Sequence, residues 1–238
     1  MRILKNCICL LFVILLTSCT NAVWVHRDFD NMRNNVETIS IMPPQIQYYE
    51  RKAGSTEPEP EHNLEVSNNL NTALKEVLEE KDFIVKPSGL TDSILADSQD
   101  LALCFIRSQK RFHVICDSVG RLGIKKETYK MNPEISIFAD IAGVNYLLFS
   151  RGLAFSTTEG GQIKDAIFTG LKAGLFRTYS PAPQKEGLSM ELLLVDANRA
   201  EAIWYNGDSE TTGLNPFELK PVKRHCKLLL CNKLMEKE

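Results

Sequence analysis

Histidine and cysteine offer the most chemistry in this sequence, which contains four histidines and seven cysteines. The histidines are scattered singly, and no Walker loop, His-Glu-x-x-His, Gly-x-Ser-x-Gly or Cys-x-x-Cys pattern accompanies them. His225, Cys226 and Cys231 are close in sequence and are suitable ligand types for zinc, but a fourth ligand is missing. We therefore expect no catalytic centre, no bound metal and no other cofactor.

The first 18 residues have the layout of a secretory signal peptide. Arg2 and Lys5 form a short positive region, and an apolar run follows from Cys7 to Leu16. This run is about ten residues long, whereas roughly 20 are needed to cross the ~30 Å hydrocarbon core of a bilayer. The pattern therefore favours a cleaved export signal over a transmembrane anchor.

The end of this segment, Leu16-Thr17-Ser18-Cys19, resembles the lipobox of bacterial lipoproteins. The resemblance implies that the Cys19 thiol receives a diacylglyceryl group, that the chain is cut before Cys19, and that the new amine is acylated, for example with palmitate. Several acyl chains on one residue anchor a protein stably. Thr20 stands where the family's inner-membrane retention signal has Asp, which implies the outer membrane of a Gram-negative cell, facing the periplasm. A plain cleaved signal or an uncleaved anchor with an incidental Cys19 is the alternative.

Four cysteines remain after removal of the signal peptide and lipidation of Cys19. Because the envelope outside the inner membrane is oxidising, they are candidates for disulfides. Cys104 with Cys116 and Cys226 with Cys231 are the options closest in sequence. The other two connectivities stay open, and four free thiols are the alternative.

Composition places the chain among globular proteins. It has 238 residues, 44% hydrophobic and 24% charged, with a formal net charge of −2. These values exclude an acidic disordered chain, a collagen-like repeat and a polytopic membrane protein. Without a basic excess, we expect no nucleic-acid partner. We divide the chain into a signal peptide at 1–18, a lipidated N-terminus and tether at 19–37, with Trp24 and Phe29 as docking points, and one domain at 38–238.

Hydrophobic periodicity predicts the elements of this domain. Apolar residues recur at three- and four-residue steps from Leu64 to Leu78, which indicates an amphipathic helix. Further helices are predicted at Pro133–Ala142, between a first-turn Pro and a terminal Gly, and in the tail from Asn215. Apolar and β-branched runs predict strands at Thr38–Met42, Val144–Phe155, Leu188–Val195 and Ala202–Tyr205, the last two as an antiparallel hairpin. The expected fold is an α/β (α+β) sandwich, a mixed sheet with flanking helices.

The order of these elements resembles a group of bacterial envelope lipoproteins that includes the curli-secretion lipoprotein and the penicillin-binding-protein activator lipoproteins. The likeness rests on three pieces of sequence: Ile-Ser-Ile-Met-Pro-Pro at 39–44, Gly-Val-Asn-Tyr-Leu-Leu-Phe at 143–149, and Val-Asp-Ala at 195–197 with Ile-Trp at 203–204. The resemblance implies an α/β sandwich with a mixed sheet and no catalytic centre.

The functional prediction is a non-enzymatic lipoprotein that is held in the membrane by lipid on Cys19. It acts through contacts with envelope proteins, including other copies of itself, in envelope assembly or secretion. The loop at 45–63 and the connection at 156–187 are the predicted binding surfaces. One alternative is a subunit of an oligomeric export channel, in which 156–187 enters the bilayer instead of packing on the domain. An envelope hydrolase is a second and weaker alternative.

Overall fold

A computed structural model describes residues 22–53, 55–124, 126–161, 185–208, 213–231 and 234. The predicted signal peptide and Cys19 lie outside these described residues, as do residues 162–184 of the 156–187 connection. The predictions for those segments therefore stay predictions.

The described residues form a mixed sheet of nine strands. The strands are β1 (Ala22–Val25), β2 (Thr38–Ile41), β3 (Gln45–Arg51), β4 (Thr56–Pro58), β5 (Ile84–Lys86), β6 (Tyr129–Lys130), β7 (Tyr146–Thr157), β8 (Glu186–Asp196) and β9 (Glu201–Gly207). The main order is β1-β9-β8-β7-β2-β5, and β7, β8 and β9 are antiparallel neighbours. The predicted fold class is confirmed.

The long strand β7 pairs in parallel with two shorter strands in succession. Its first residues pair with β2, and its second half pairs with β3. Pro43 and Pro44 lie between β2 and β3. Because proline lacks the N–H that a strand donates to its neighbour, these two residues interrupt the pairing with β7 between β2 and β3. β3 is then extended outward by an antiparallel pairing with β4.

Helices cover both faces of the sheet. They are α1 (Phe29–Arg33), α2 (Asn63–Glu79), α3 (Asp92–Asp97), α4 (Gln99–Cys116), α5 (Ile135–Ala142) and α6 (Leu219–Cys231), with a π turn at Asp117–Arg121 after α4. Alternate residues of β8 point to two separate cores: Leu192 and Leu194 pack with α2 and α6, whereas Leu193 and Val195 pack with α4 and α5.

Local signals account for several helix boundaries. The side chains of Thr91 and Ser98 accept hydrogen bonds from the backbone N–H groups of Ile94 and Leu101, which caps α3 and α4. α5 ends at Ala142, and the next residue, Gly143, has a φ of 63°, which lies in the left-handed region. Glycine adopts that conformation without steric cost, so the chain can turn directly into β7.

Two sequence predictions about this fold need correction. Residues 22–36 are part of the domain, since β1 pairs with β9 and α1 packs on the sheet. The predicted docking residues Trp24 and Phe29 are indeed buried. The predicted loop at 45–63 instead contains β3, β4 and a 3₁₀ turn at Pro60–His62.

No helix in the described part of the chain is long and apolar enough to cross a membrane.

Candidate binding site

An apolar groove of about 450 Å³ lies along one side of α4. Six of its lining residues belong to α4 and one to β3; they are Gln45, Phe105, Ile106, Gln109, Lys110, His113 and Val114. α4 is held against the sheet by Phe112, which is fully buried and has its ring 5.6 Å from that of Phe149 in β7. Packing of this kind fixes the helix, and with it the groove, relative to the sheet.

The exposed side of α4 carries apolar side chains in a stripe. Leu103, Ile106 and Val114 are 42%, 49% and 52% exposed, and Lys110 lies between the last two along the helix. The steps of three, four and four residues place these four side chains on one face. This face lies beside the groove, which Ile106, Lys110 and Val114 line.

Gln109 lines the groove and has an unpaired, buried carboxamide. The residue is 4% exposed, and neither its Nε2 nor its Oε1 makes a hydrogen bond with another described residue. The hydroxyl of the neighbouring Ser108 is also buried without such a partner. A buried amide that makes no hydrogen bond costs about 1–3 kcal/mol, so a ligand that satisfies it gains affinity.

His113 and Gln45 separate the groove from a second, larger cavity. His113 Nε2 donates a hydrogen bond to Gln45 Oε1, and both residues line both spaces. The pKa of His113 is lowered, first because burial disfavours the imidazolium and second because Arg151 is positively charged. The imidazole is therefore neutral at pH 7.

The larger cavity has a volume of about 850 Å³ and lies next to a network of charged side chains. Arg151 in β7 donates from Nε to Glu191 Oε2 in β8, and from Nη2 to Asp117 Oδ1 at a distance of 2.8 Å. The hydroxyl of Tyr205 in β9 donates to Glu191 Oε1 at 2.6 Å. Because both oxygens of Glu191 accept hydrogen bonds, the carboxylate is held in place.

The surroundings of this network are tightly packed. Burial raises the pKa of Tyr205 far above its usual range, and the charge of Glu191 raises it further. Burial alone would lower the pKa of Arg151, but its hydrogen bonds to Glu191 and Asp117 outweigh that effect and raise it. A Cβ on Gly120 in the π turn would overlap Tyr205 Oη, so a residue without a side chain is required there. Of this network, Arg151 and Glu191 line the cavity and form a charged part of its wall.

The four cysteines are free thiols. Cys104 and Cys116 are twelve residues apart on α4, a rise of roughly 18 Å, whereas a disulfide needs Cα atoms within about 7 Å. Cys226 and Cys231 lie five residues apart on α6, which is also too far. Cross-pairs are blocked because Cys104 and Cys116 belong to the core on the opposite face of the sheet from Cys226 and Cys231. None of the candidate disulfides therefore forms in the described structure, which has the four free thiols that were the alternative.

The structure does not arrange the considered ligand types, His225, Cys226 and Cys231, as a metal site. His225 Nε2 lies 2.6 Å from Asp208 Oδ2, while Cys226 is fully buried in the core. Burial raises the pKa of the Cys226 thiol, as it does that of Cys116, so both are unreactive. Within the described residues, no group of three or more His, Cys, Asp or Glu side chains is arranged to hold a metal ion.

The sequence predictions missed the groove, although α4 carries a detectable signal for it. Apolar residues on α4 fall on two faces: Phe112 and Ile115 are buried, while Leu103, Ile106 and Val114 are exposed. A helix that covers a sheet needs one such face, so the second is evidence of a binding surface.

Comparison with protein-family models, with curated proteins and with solved structures finds no match to this chain. The resemblance to the curli-secretion and penicillin-binding-protein activator lipoproteins therefore stays a prediction.

Proposed function

We propose that this protein is a lipid-anchored, non-enzymatic binding protein of the outer membrane, whose periplasm-facing domain binds another envelope protein in assembly or secretion. The observation that carries the proposal is the apolar groove on α4 with its stripe of exposed apolar side chains, Leu103, Ile106 and Val114. Exposed apolar side chains beside a concave surface are typical of protein-binding sites.

The position of β1 bears on how such a domain is held at the membrane. Three peptide units separate Cys19 from Ala22, the first residue of β1, and they span at most about 10 Å. Since β1 is an edge strand of the described sheet, lipid on Cys19 keeps this edge close to the bilayer surface.

The register of the strands gives the distance between the lipidated residue and the groove. Ala22, Gly207, Glu191, Arg151 and Gln45 are successive partners across β1, β9, β8, β7 and β3. Neighbouring strands are about 4.8 Å apart, so Gln45 lies roughly 20 Å from Ala22 along this row. The groove that Gln45 lines is therefore within about 30 Å of the lipidated residue, and it accepts partners that are themselves at or near the membrane.

Lipidation is tested by growing cells with an alkyne-labelled fatty acid and measuring incorporation into the protein. We expect label in the wild-type protein and in Cys9→Ala, a matched change within the signal peptide, and no label in Cys19→Ala. Label retained by Cys19→Ala, together with its unchanged partition into the membrane fraction, would contradict the anchor.

The binding role is tested by chemical crosslinking in intact cells followed by purification of the lipidated protein. We expect a defined partner protein that is recovered in stoichiometric amounts and is lost when Ile106 is changed to Ser. Leu228→Ser on α6 is the control, because Leu228 is 62% exposed on a different helix. A ring of many copies of this chain would support the export-channel alternative, and turnover of cell-wall or ester substrates would contradict a non-enzymatic role.

A further inference from the structure

The α4 groove has three properties that together restrict what can bind there. Its walls are mainly apolar, Gln109, whose buried carboxamide is unpaired, is one of its lining residues, and Lys110 is another. Each property selects a different feature of a ligand: an apolar side chain, a hydrogen-bonding group and a charge.

The carboxamide distinguishes a peptide from a lipid. Gln109 offers an NH₂ donor and a carbonyl acceptor, and both lack a partner among the described residues. A peptide unit presents one N–H and one C=O and can satisfy both groups at once. A fatty-acid carboxylate accepts hydrogen bonds but donates none when ionised, so it would leave the Gln109 carbonyl unpaired.

The charge of the groove selects an acidic ligand. From Leu101 to Cys116, α4 contains Arg107, Lys110 and Arg111 and no acidic residue. Arg107 lies 3.7 Å from Glu134, and Arg111 Nε donates to the Lys130 carbonyl. In the described part of the chain, Lys110 makes no ion pair with a carboxylate, so its ammonium group remains available to a ligand.

We propose that the α4 groove binds a peptide segment of an envelope protein in which apolar residues alternate with acidic ones. An apolar side chain fills the space between Phe105, Ile106 and Val114, the peptide backbone hydrogen-bonds to Gln109, and a carboxylate pairs with Lys110. This inference rests on the proposed function and specifies the chemistry of the partner.

The test uses the full-length protein reconstituted in phosphatidylcholine vesicles and three fluorescein-labelled decapeptides. One peptide alternates Leu with Glu, the second Leu with Lys, and the third Ser with Glu. Fluorescence anisotropy measures binding at low salt, with protein-free vesicles as the blank. We expect saturable binding of the Leu–Glu peptide, and binding at least about tenfold weaker for the other two.

Variants connect this binding to the groove. Lys110→Glu and Ile106→Ser should each weaken binding of the Leu–Glu peptide by about five- to tenfold. Lys110→Arg should retain it, since the charge is kept. Lys220→Glu and Leu228→Ser are matched controls on α6, where both residues are exposed, and should bind as the wild type does.

Three results would overturn the inference: no saturable binding of the Leu–Glu peptide, equal binding of the Leu–Lys peptide, or wild-type binding by Lys110→Glu. Full displacement of the peptide by an equimolar amount of lauric acid would assign the groove to an acyl chain instead. The proposed function fails separately, when crosslinking in cells recovers no partner. A partner that is lost with Ile106→Ser but is recovered equally well with Lys110→Glu leaves the proposed function standing and removes this inference.

Discussion

The ion pair between Arg151 and Glu191 should be among the most sensitive polar contacts of the described domain. Arg151 also pairs with Asp117, so replacing it with methionine removes a cation that both carboxylates contact. The two side chains of the central pair are 17% and 21% exposed. Breaking a fully buried pair costs about 3–5 kcal/mol, and partial exposure favours the lower end of that range.

We therefore expect Arg151→Met to lower the free energy of unfolding by about 3 kcal/mol. Glu191→Gln should cost less, about 1.5 kcal/mol, because the amide still accepts from Tyr205 and Arg151 keeps Asp117. The double variant should cost about 3 kcal/mol, less than the sum of the single changes, since the second substitution removes a charge that has already lost its partner.

Urea unfolding of the full-length protein in a non-ionic detergent measures these differences. With a urea dependence of about 2–3 kcal/mol/M, Arg151→Met should lower the unfolding midpoint by roughly 1–1.5 M. Lys52→Met is the control, because Lys52 also contacts carboxylates, those of Glu50, Glu57 and Glu59, but lies at the surface. Its midpoint should hardly change.

Additive losses of stability in the double variant would refute this reasoning. If the double variant loses the sum of the two single losses within about 0.5 kcal/mol, the two side chains are not energetically coupled and the network does not stabilise the cavity wall. A large loss in Lys52→Met would equally contradict it, since burial would then not be the reason for the sensitivity of Arg151.

Three further predictions concern a titration, a helix end and the thiols. NMR titration should give His113 a pKa below the 6.5 of a free histidine, and Arg151→Met should raise that pKa towards 6.5 by removing a nearby positive charge. Because the folded state binds this proton more weakly than the unfolded state, the contribution of His113 to stability is present above pH 6.5 and is lost as the pH falls below it. Gly143→Ala should destabilise the protein by about 1–2 kcal/mol in thermal or urea unfolding, because alanine at a φ of 63° is strained. Gly160→Ala is the control and should change stability little, since its new Cβ would be 3.6 Å from its nearest neighbour. A thiol reagent should modify the two fully buried cysteines, Cys116 and Cys226, after unfolding but not before. If they stay protected in denaturant without reductant, a disulfide has formed.

Local patterns in the sequence were sufficient for the elements that carry strong periodicity. The apolar spacing from Leu64 to Leu78 predicted α2, which runs over Asn63–Glu79. The apolar run at Val144–Phe155 predicted β7, and Gly143 predicted the end of α5. These signals act between residues a few positions apart, so they can be recognised without knowledge of the fold.

Such local patterns do not predict the pairing of strands that are far apart in the sequence. Residues 22–36 have no sustained periodicity, yet β1 pairs with β9 about 180 residues later, and Trp24 Nε1 donates to the carbonyl of Lys126. A strand of four residues carries too few alternating positions to be identified alone. Its place in the domain is decided by the free edge of β9.

The sequence by itself predicted an export signal with Cys19 at its end, and it determined the helices α2, α5 and α6, the long strands and hence the class of the fold. The tertiary structure alone decided that Arg151, Glu191, Asp117 and Tyr205 meet, because strand register and the position of the π turn bring them together from four segments. It also decided which apolar face of α4 is buried. Both faces satisfy the helical period, and the packing of Phe112 against Phe149 leaves the face with Ile106 and Val114 exposed.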